Sequence, residues 1–190
     1  MIGYDDIHDT DDEYPTDEYC RPMELLEGLE LIKPEAHYDK RGKFLESFNA
    51  KRYSQTFVQD NLVYSERHVL RGLHYQKGKH AQGKLVTCVQ GEIFDVAVDM
   101  RPNSPTYGKH FGVLLTHDNN WQLWIPPGFA HGYSVLSEGA TVLYKCDKPW
   151  QPGQEGGFHW DDRTLNIYWG LDDPIISPKD AKLPEWSEDE

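Results

Sequence analysis

Basic side chains are in short supply: 19 Lys and Arg stand against 32 Asp and Glu, a formal net charge of −13 over 190 residues. That field repels a polyanion, which excludes a nucleic-acid binder held by bulk electrostatics, while a small anion could still be captured by a local pair of cations. Cysteine is scarcer still. Cys20, Cys88 and Cys146 are an odd number without C-x-x-C spacing, which fits free thiols in a reducing compartment and neither a disulfide framework nor a zinc ribbon. No apolar run approaches the ~20 residues that span a bilayer, and the N-terminus has neither an apolar signal core nor a basic amphipathic transit pattern. A soluble, cytoplasmic protein is expected, with neither membrane nor nucleic acid among its partners. Long stretches of 3.6-residue apolar period are also missing, which argues against an α/β sheet.

What is present suits a globular chain with one well-developed core: 38% hydrophobic and 13% aromatic residues. Residues 1–22 carry Asp5, Asp6, Asp9, Asp11, Asp12, Glu13, Asp17 and Glu18 against Arg21. So self-repelling a stretch is expected to be a flexible extension, with an acidic docking arm as the other reading. Residues 23–190 are expected to form a single domain that ends in a C-terminal segment. Within them, 30–35 reads as a short strand stopped by Pro34, 39–42 as a turn, 43–48 as a second strand and 50–56 as a brief helix. Residues 57–65 are extended in composition, yet they carry Gln59, Asp60 and Asn61, and amides inside a strand need partners. Phe94, Val96 and Val98 alternate with smaller or acidic residues, the period of a half-buried strand. Further strands at 109–115, 121–125, 131–136 and 140–146, separated by turns, make an all-β sandwich or barrel with short peripheral helices.

The stretch from Leu70 to Gln90 concentrates the chemistry. Arg71 offers a fixed positive fork, His74 a proton acceptor and Lys84 a mobile ammonium, all among strand-forming residues. The combination suits an anionic substrate that must lose and regain a proton. Singly, each also has a plain reading, as a solvated rim charge or a hydrogen-bonded strand histidine.

Pro126-Pro127-Gly128-Phe129-Ala130-His131 fits the P-x-G-x-x-H turn of the second cupin motif, and Gly72-Leu73-His74-Tyr75-Gln76 occupies the place of the first. The chain therefore resembles a cupin-like jelly-roll β-barrel. The usual H-x-H has become His74-Tyr75-Gln76 and no glutamate follows at the usual offset, so only His74 and His131 remain as ligands beside two cations. No metal is expected.

A narrower resemblance is carried by DKRGKFLESF, FVQDN, RGLHYQ, QGKLVTCVQGEIFDVAVDMRPNSPTYG, LWIPPGFAHGYSVLSEGA and YKC, from about Leu31 to Ala181. These strings resemble the dTDP-4-dehydrorhamnose 3,5-epimerase family. The resemblance implies inversion of C3 and C5 of a nucleotide-linked 4-keto-6-deoxyhexose, without metal or organic cofactor. Such chemistry needs a base against a C–H bond next to the ketone, a cation for the enolate oxygen, and an acid on the opposite face. By resemblance His74 is the base, Tyr144 the acid and Lys84 the enolate-stabilising residue. Asp180, in Ser177-Pro178-Lys179-Asp180-Ala181, completes a His–Asp dyad; Asp161 and Asp162 rival it on composition but fall in a structural turn of the family. Arg41, Glu46, Gln59, Asn61, Arg71, His131, Glu155 and Lys179 match residues that contact nucleotide, diphosphate or sugar, and Trp150 falls where an aromatic residue lies near the sugar.

Family members are homodimers that exchange or pair N-terminal strands, so part of each site is expected from the partner subunit. The acidic extension, and His37 and Tyr38 in place of the more usual phenylalanine-glycine, depart from the pattern. Epimerases of C3 or C5 alone, acting on related keto sugars, share the same His, Lys and Tyr. A non-catalytic sugar-nucleotide binding module would need neither Tyr144 nor Asp180.

Overall fold

A computed structural model of the chain describes residues 24–187, so the acidic extension read over residues 1–22 lies outside the described residues, as does Cys20. Within them the chain runs through β1 (Glu30–Ile32), β2 (Ala36–Asp39), β3 (Gly42–Leu45), β4 (Gln59–Glu66), β5 (Leu70–Gln76) and β6 (Lys84–Gln90). It continues through β7 (Glu92–Asp99), β8 (His110–Thr116), β9 (Gln122–Ile125), β10 (Phe129–Val135), β11 (Gly139–Cys146) and β12 (Glu155–Gly157). One five-stranded antiparallel sheet has the order β1-β9-β6-β11-β4 and a second the order β12-β5-β10-β7-β8, with β2 and β3 as a separate hairpin. The neighbours are mostly non-consecutive in sequence, the Greek-key signature of a jelly roll, built here as two sheets facing across a core.

That core follows from side-chain alternation. Val86 and Cys88 of β6, Ile93 and Ala97 of β7, Leu115 of β8, Leu123 of β9, Val135 of β10 and Val142 of β11 meet between the sheets, and all are essentially inaccessible to solvent. Each such leucine or valine is worth roughly 1.5–3 kcal/mol relative to exposure.

Two local expectations are corrected. β7 is not half-buried, because every position from Ile93 to Asp99 is buried. Its outer face, Phe94, Val96 and Val98, packs with Leu70, Leu73, Ala130, Phe158, Leu165, Trp169 and Trp186 in a second apolar cluster. The chain after β12 supplies four of those residues and covers this sheet from outside. Asp162 clasps that cover by accepting from the backbone N–H groups of Thr164, Leu165 and Trp186 at 2.9, 2.9 and 2.7 Å. The brief helix at 50–56 is a single 3₁₀ turn, Ala50–Arg52, started by Asn49, whose side chain accepts from Lys51 N, and ended by Tyr53 in extended conformation. Buried residues are absent from that turn, and so short a segment without an apolar face has nothing to propagate a longer helix.

One end of the sandwich interior is polar. On β11 the inward residues run Ala140, Val142, Tyr144 and Cys146; across from them on β4 stand Ser65, Val63, Asn61 and Gln59, and on β6 Cys88, Val86 and Lys84 pair with Val142, Tyr144 and Cys146. Aliphatic packing thus gives way to functional groups at the same level on three adjacent strands.

At the end of β7, Asp99 accepts from Arg101 Nη2, Ser104 Oγ and Thr106 Oγ1 at 2.7, 2.5 and 2.6 Å. Burial pushes its carboxyl up, but these bonds outweigh burial and hold it down at about 2. A carboxylate whose pKa is depressed by folding stabilises the protein above its unfolded pKa and loses that contribution as pH falls through the folded value. Between pH about 4 and about 2 the native state is therefore expected to lose about 2 kcal/mol through this group. Urea denaturation across that range checks this: Asp99→Asn should flatten the pH dependence by that amount, and an unchanged slope would count against it.

Candidate active site

The polar end of the sandwich holds a cavity of about 290 Å³ lined by Val63, Arg71, His74, Lys84, His131, Gly132, Tyr133, Tyr144, Ser177, Lys179 and Asp180. A second, of about 250 Å³, is lined by Gln59, Asn61, His74, Tyr75, Gln76, Gln82, Lys84, Tyr144, Trp150 and Glu155. His74, Lys84 and Tyr144 belong to both. The two are lobes of one cleft that meet at those three side chains.

His74 projects from β5 and stands across from His131 of β10 in register. The strands approach closely just beside them. Gly72 has φ +126°, and a Cβ there would lie 2.6 Å from Gly132 Cα, so glycine is required both for the backbone conformation and for the contact. His74 Nε2 bonds Asp180 Oδ1 at 2.8 Å. Asp180 is 3% exposed, and its other oxygen accepts from Gly72 N at 3.3 Å. Burial pushes the Asp180 carboxyl up, yet the hydrogen bond and charge of His74, with Gly72 N, bring it below the usual carboxylate range. An ionised Asp180 accepts Nε2–H, which leaves the lone pair of the neutral imidazole on Nδ1.

Asp180 reaches this position from a C-terminal segment tied to the start of β5: Ile175 N donates to His68 O at 2.8 Å and Leu70 N to Ile175 O at 3.1 Å. Beyond it Asp180 N donates to Ser177 Oγ at 3.0 Å. The side chain thus arrives 106 positions after its partner, through the same segment whose earlier part covers the second sheet.

Lys84 and Tyr144 come from the facing sheet. Lys84 forms no ion pair among the described residues; burial pushes its ammonium down, with Cys146, Asp95 and Glu155 opposing. Tyr144 is pushed up by burial, and further by Cys146 and Tyr133, so its phenol is held protonated. An imidazole with a free lone pair on one sheet faces a protonated phenol and an ammonium on the other. Such a set can take a proton from carbon, stabilise the oxyanion that results and return a proton from another direction.

His131 has its own carboxylate, which the sequence reading missed. Its Nε2 bonds Asp95 Oδ1 at 2.8 Å, and Asp95 is wholly buried. Burial pushes the His131 imidazole down, with Asp95 opposing. The available signal was an acid at an inward position of a strand otherwise apolar on that face, Ile93-Phe94-Asp95-Val96-Ala97.

In the second lobe Gln59 Nε2 donates to Asn61 Oδ1 at 3.0 Å, Gln59 Oε1 accepts from Trp150 N at 2.8 Å and Asn61 Nδ2 approaches Cys146 Sγ at 3.6 Å. The amides of β4 therefore have partners and also face the cleft. Glu155 and Lys179 form an ion pair of 2.7 Å at the mouth, and the hydrogen bond from Lys179 holds the Glu155 carboxyl below the usual carboxylate range. Arg41 and Glu46 are not brought to the cleft of this chain. Arg41 is paired to Asp39 at 2.5 Å and lines a separate concavity on the β2–β3 hairpin, and Glu46 is paired to Arg52 at 3.0 Å.

The family model for dTDP-4-dehydrorhamnose 3,5-epimerase matches residues 24–188. A Shigella flexneri protein named dTDP-4-dehydrorhamnose 3,5-epimerase is 50% identical over 156 residues, 79% of this chain and 86% of that one. Among solved structures, the dTDP-4-dehydrorhamnose 3,5-epimerase of Elizabethkingia anophelis superposes with a TM-score of 0.82 at 44% identity, covering 86% of this chain and 94% of its own. A Legionella pneumophila dTDP-6-deoxy-D-glucose-3,5-epimerase, solved in complex with dTDP-4-keto-L-rhamnose, superposes at 0.78 with 45% identity over 84% and 94% of the two chains.

Proposed function

The chain belongs to the dTDP-4-dehydrorhamnose 3,5-epimerase family and inverts C3 and C5 of a nucleotide-linked 4-keto-6-deoxyhexose, and we propose that His74, Lys84, Tyr144 and Asp180 carry out the inversion. The substrate is dTDP-4-dehydro-6-deoxy-D-glucose and the product dTDP-4-dehydro-L-rhamnose. His74 Nδ1 takes the proton from the carbon next to the ketone. The C–H electron pair becomes the C=C bond of an enolate whose charge rests on O4. Lys84 stabilises that oxygen, and Asp180 stabilises the imidazolium by accepting its Nε2–H. Tyr144 then donates its phenolic proton to the opposite face of the same carbon; the imidazolium releases its Nδ1 proton to solvent, the phenolate takes one back from solvent, and the sequence repeats at the other carbon. The observation that carries this reading is that His74, Tyr144 and Lys84 line both lobes of the cleft, with His74 Nε2 at 2.8 Å from Asp180.

Arg71 and Lys179 bind the diphosphate, Gln59 and Asn61 hold the nucleotide, and His131, Trp150 and Glu155 shape the remaining contacts. The protein is a cytoplasmic homodimer, and Arg41 and Glu46 complete the partner's cleft from the exposed β2–β3 hairpin. Their distance from the cleft of their own chain supports that assignment, as does Phe44 at 70% exposure on the same hairpin. Among the described residues no helix is long and apolar enough to cross a membrane.

The test is isotope exchange. The protein is incubated with dTDP-4-keto-6-deoxyglucose in deuterated water with a chelator, and label is followed by NMR. Deuterium at both C3 and C5 is expected. Label at one carbon would mark a mono-epimerase, its loss with chelator a metal enzyme, and no label a binding module.

A further inference from the structure

Four arginines among the described residues are neutralised by a carboxylate: Arg41 by Asp39, Arg52 by Glu46, Arg67 by Glu138 and Arg101 by Asp99. Arg71, which lines the catalytic lobe, is held differently. Its Nε donates to Ser65 Oγ at 2.9 Å, and Ser65 Oγ lies 3.1 Å from Tyr133 OH. It makes no ion pair among the described residues. Ser65 is 2% and Tyr133 4% exposed, so the anchor is buried while the guanidinium it holds opens to the cleft. The three residues come from both sheets: Ser65 points inward from β4, and Arg71 and Tyr133 face each other in register on β5 and β10.

We propose that Ser65, backed by Tyr133, is a positioning residue that pre-sets the Arg71 guanidinium for an anionic group of the substrate while leaving its charge uncancelled. The inference rests on the assignment of Arg71 as a substrate-binding residue. A carboxylate at position 65 would hold the guanidinium more tightly, but it would cancel the charge and repel a diphosphate. A hydroxyl accepts the Nε–H bond and has one more hydrogen bond to fix it in place, which Tyr133 supplies. Burial pushes the Tyr133 phenol up and keeps it protonated, Ser65 and Arg71 opposing, so it stays a neutral partner. The planar Nη edge of Arg71, opposite its anchored Nε, is left to face an oxyanion bidentately. Without the anchor the side chain must be immobilised during binding, and the penalty falls on substrate affinity and not on the proton transfers.

Ser65→Ala is expected to raise KM for the nucleotide sugar about tenfold with kcat within about twofold, and to weaken dTDP binding in titration calorimetry by a similar factor. Ser65→Thr, which keeps the hydroxyl, should restore both. Arg71→Ala should raise KM at least as far, and the double variant should be no worse than Arg71→Ala alone, because a residue acting through Arg71 has nothing left to act on. A purely structural role for Ser65 predicts additive losses instead, and additive losses would overturn the proposal. If Arg71→Ala raises KM while Ser65→Ala leaves it unchanged, the positioning role alone is refuted. An unchanged KM for Arg71→Ala removes the substrate-binding assignment and the proposal with it.

Discussion

His74→Ala is expected to abolish deuterium wash-in at both C3 and C5 and to lower turnover by about 10³–10⁴-fold. The size follows from what the residue does. A C–H bond next to a ketone is weakly acidic, and water in the place of the imidazole would be neither held against the carbon nor basic enough to compete. Tyr144 cannot substitute, because burial keeps its phenol protonated. In the proposed mechanism Lys84 cannot either, since it serves there as the cation at O4. Both inverted positions flank the same carbonyl, so one base serves both and both labels should vanish together. The substitution also strands the Asp180 carboxylate, buried at 3% exposure and left with Gly72 N and the Ser177 hydroxyl, which costs about 1–3 kcal/mol of stability. The variant should therefore be assayed well below its melting temperature, with its circular dichroism matched to wild type. Substantial label at either carbon in a folded His74→Ala protein would show that another group is the base.

The strands were legible from local pattern and composition: Phe94, Val96 and Val98 alternate with smaller or acidic residues, Trp121 to Ile125 is too short and too rich in aromatic and branched side chains for a helix, and Gly and Pro mark the turns between them. β7 was misread as half-buried because its second covering layer is supplied by Phe158, Leu165, Trp169 and Trp186, up to about 90 positions away and irregular in backbone. Local periodicity carries no trace of a layer that arrives so late in the chain. Asp180 is of the same kind. Composition makes Lys179-Asp180 an ordinary surface pair after a proline, and only the family motif singled it out, whereas the fold buries it against His74. Asp95 could have been found, as an acid among inward-facing aliphatics. Ser65 could not, since nothing in FVQDNLVYSER separates a serine that anchors a guanidinium from one that faces water. Arg41 and Glu46 mark a different limit, for they lie apart from the cleft of their own chain, and a role in a partner's cleft, as proposed, is one that a single chain cannot express.

Tyr144→Phe is expected to separate exchange from inversion. Loss of one oxygen leaves the ring packed where it is, so the base, its carboxylate and the ammonium keep their places. His74 can still remove a proton and Lys84 can still stabilise the enolate. Solvent deuterium should therefore enter with retention, as the imidazolium exchanges its proton and returns a deuteron to the face it came from. Net inversion needs a donor on the other face, and with the phenol gone only water remains there. The expected result is label at the exchanging carbon within about tenfold of the wild-type rate, and product formation reduced by about 10²–10³-fold. NMR on one sample reads both quantities, label in recovered substrate against label in epimerised product. Tyr133 also carries a phenol in the same lobe, but it projects from the same sheet as His74 and is bound to Ser65 at 3.1 Å, so it is not expected to replace the missing donor from the facing sheet. Wild-type inversion by Tyr144→Phe would remove Tyr144 from the mechanism and leave a single-sided site, one that can exchange a proton but has no residue to reverse the configuration.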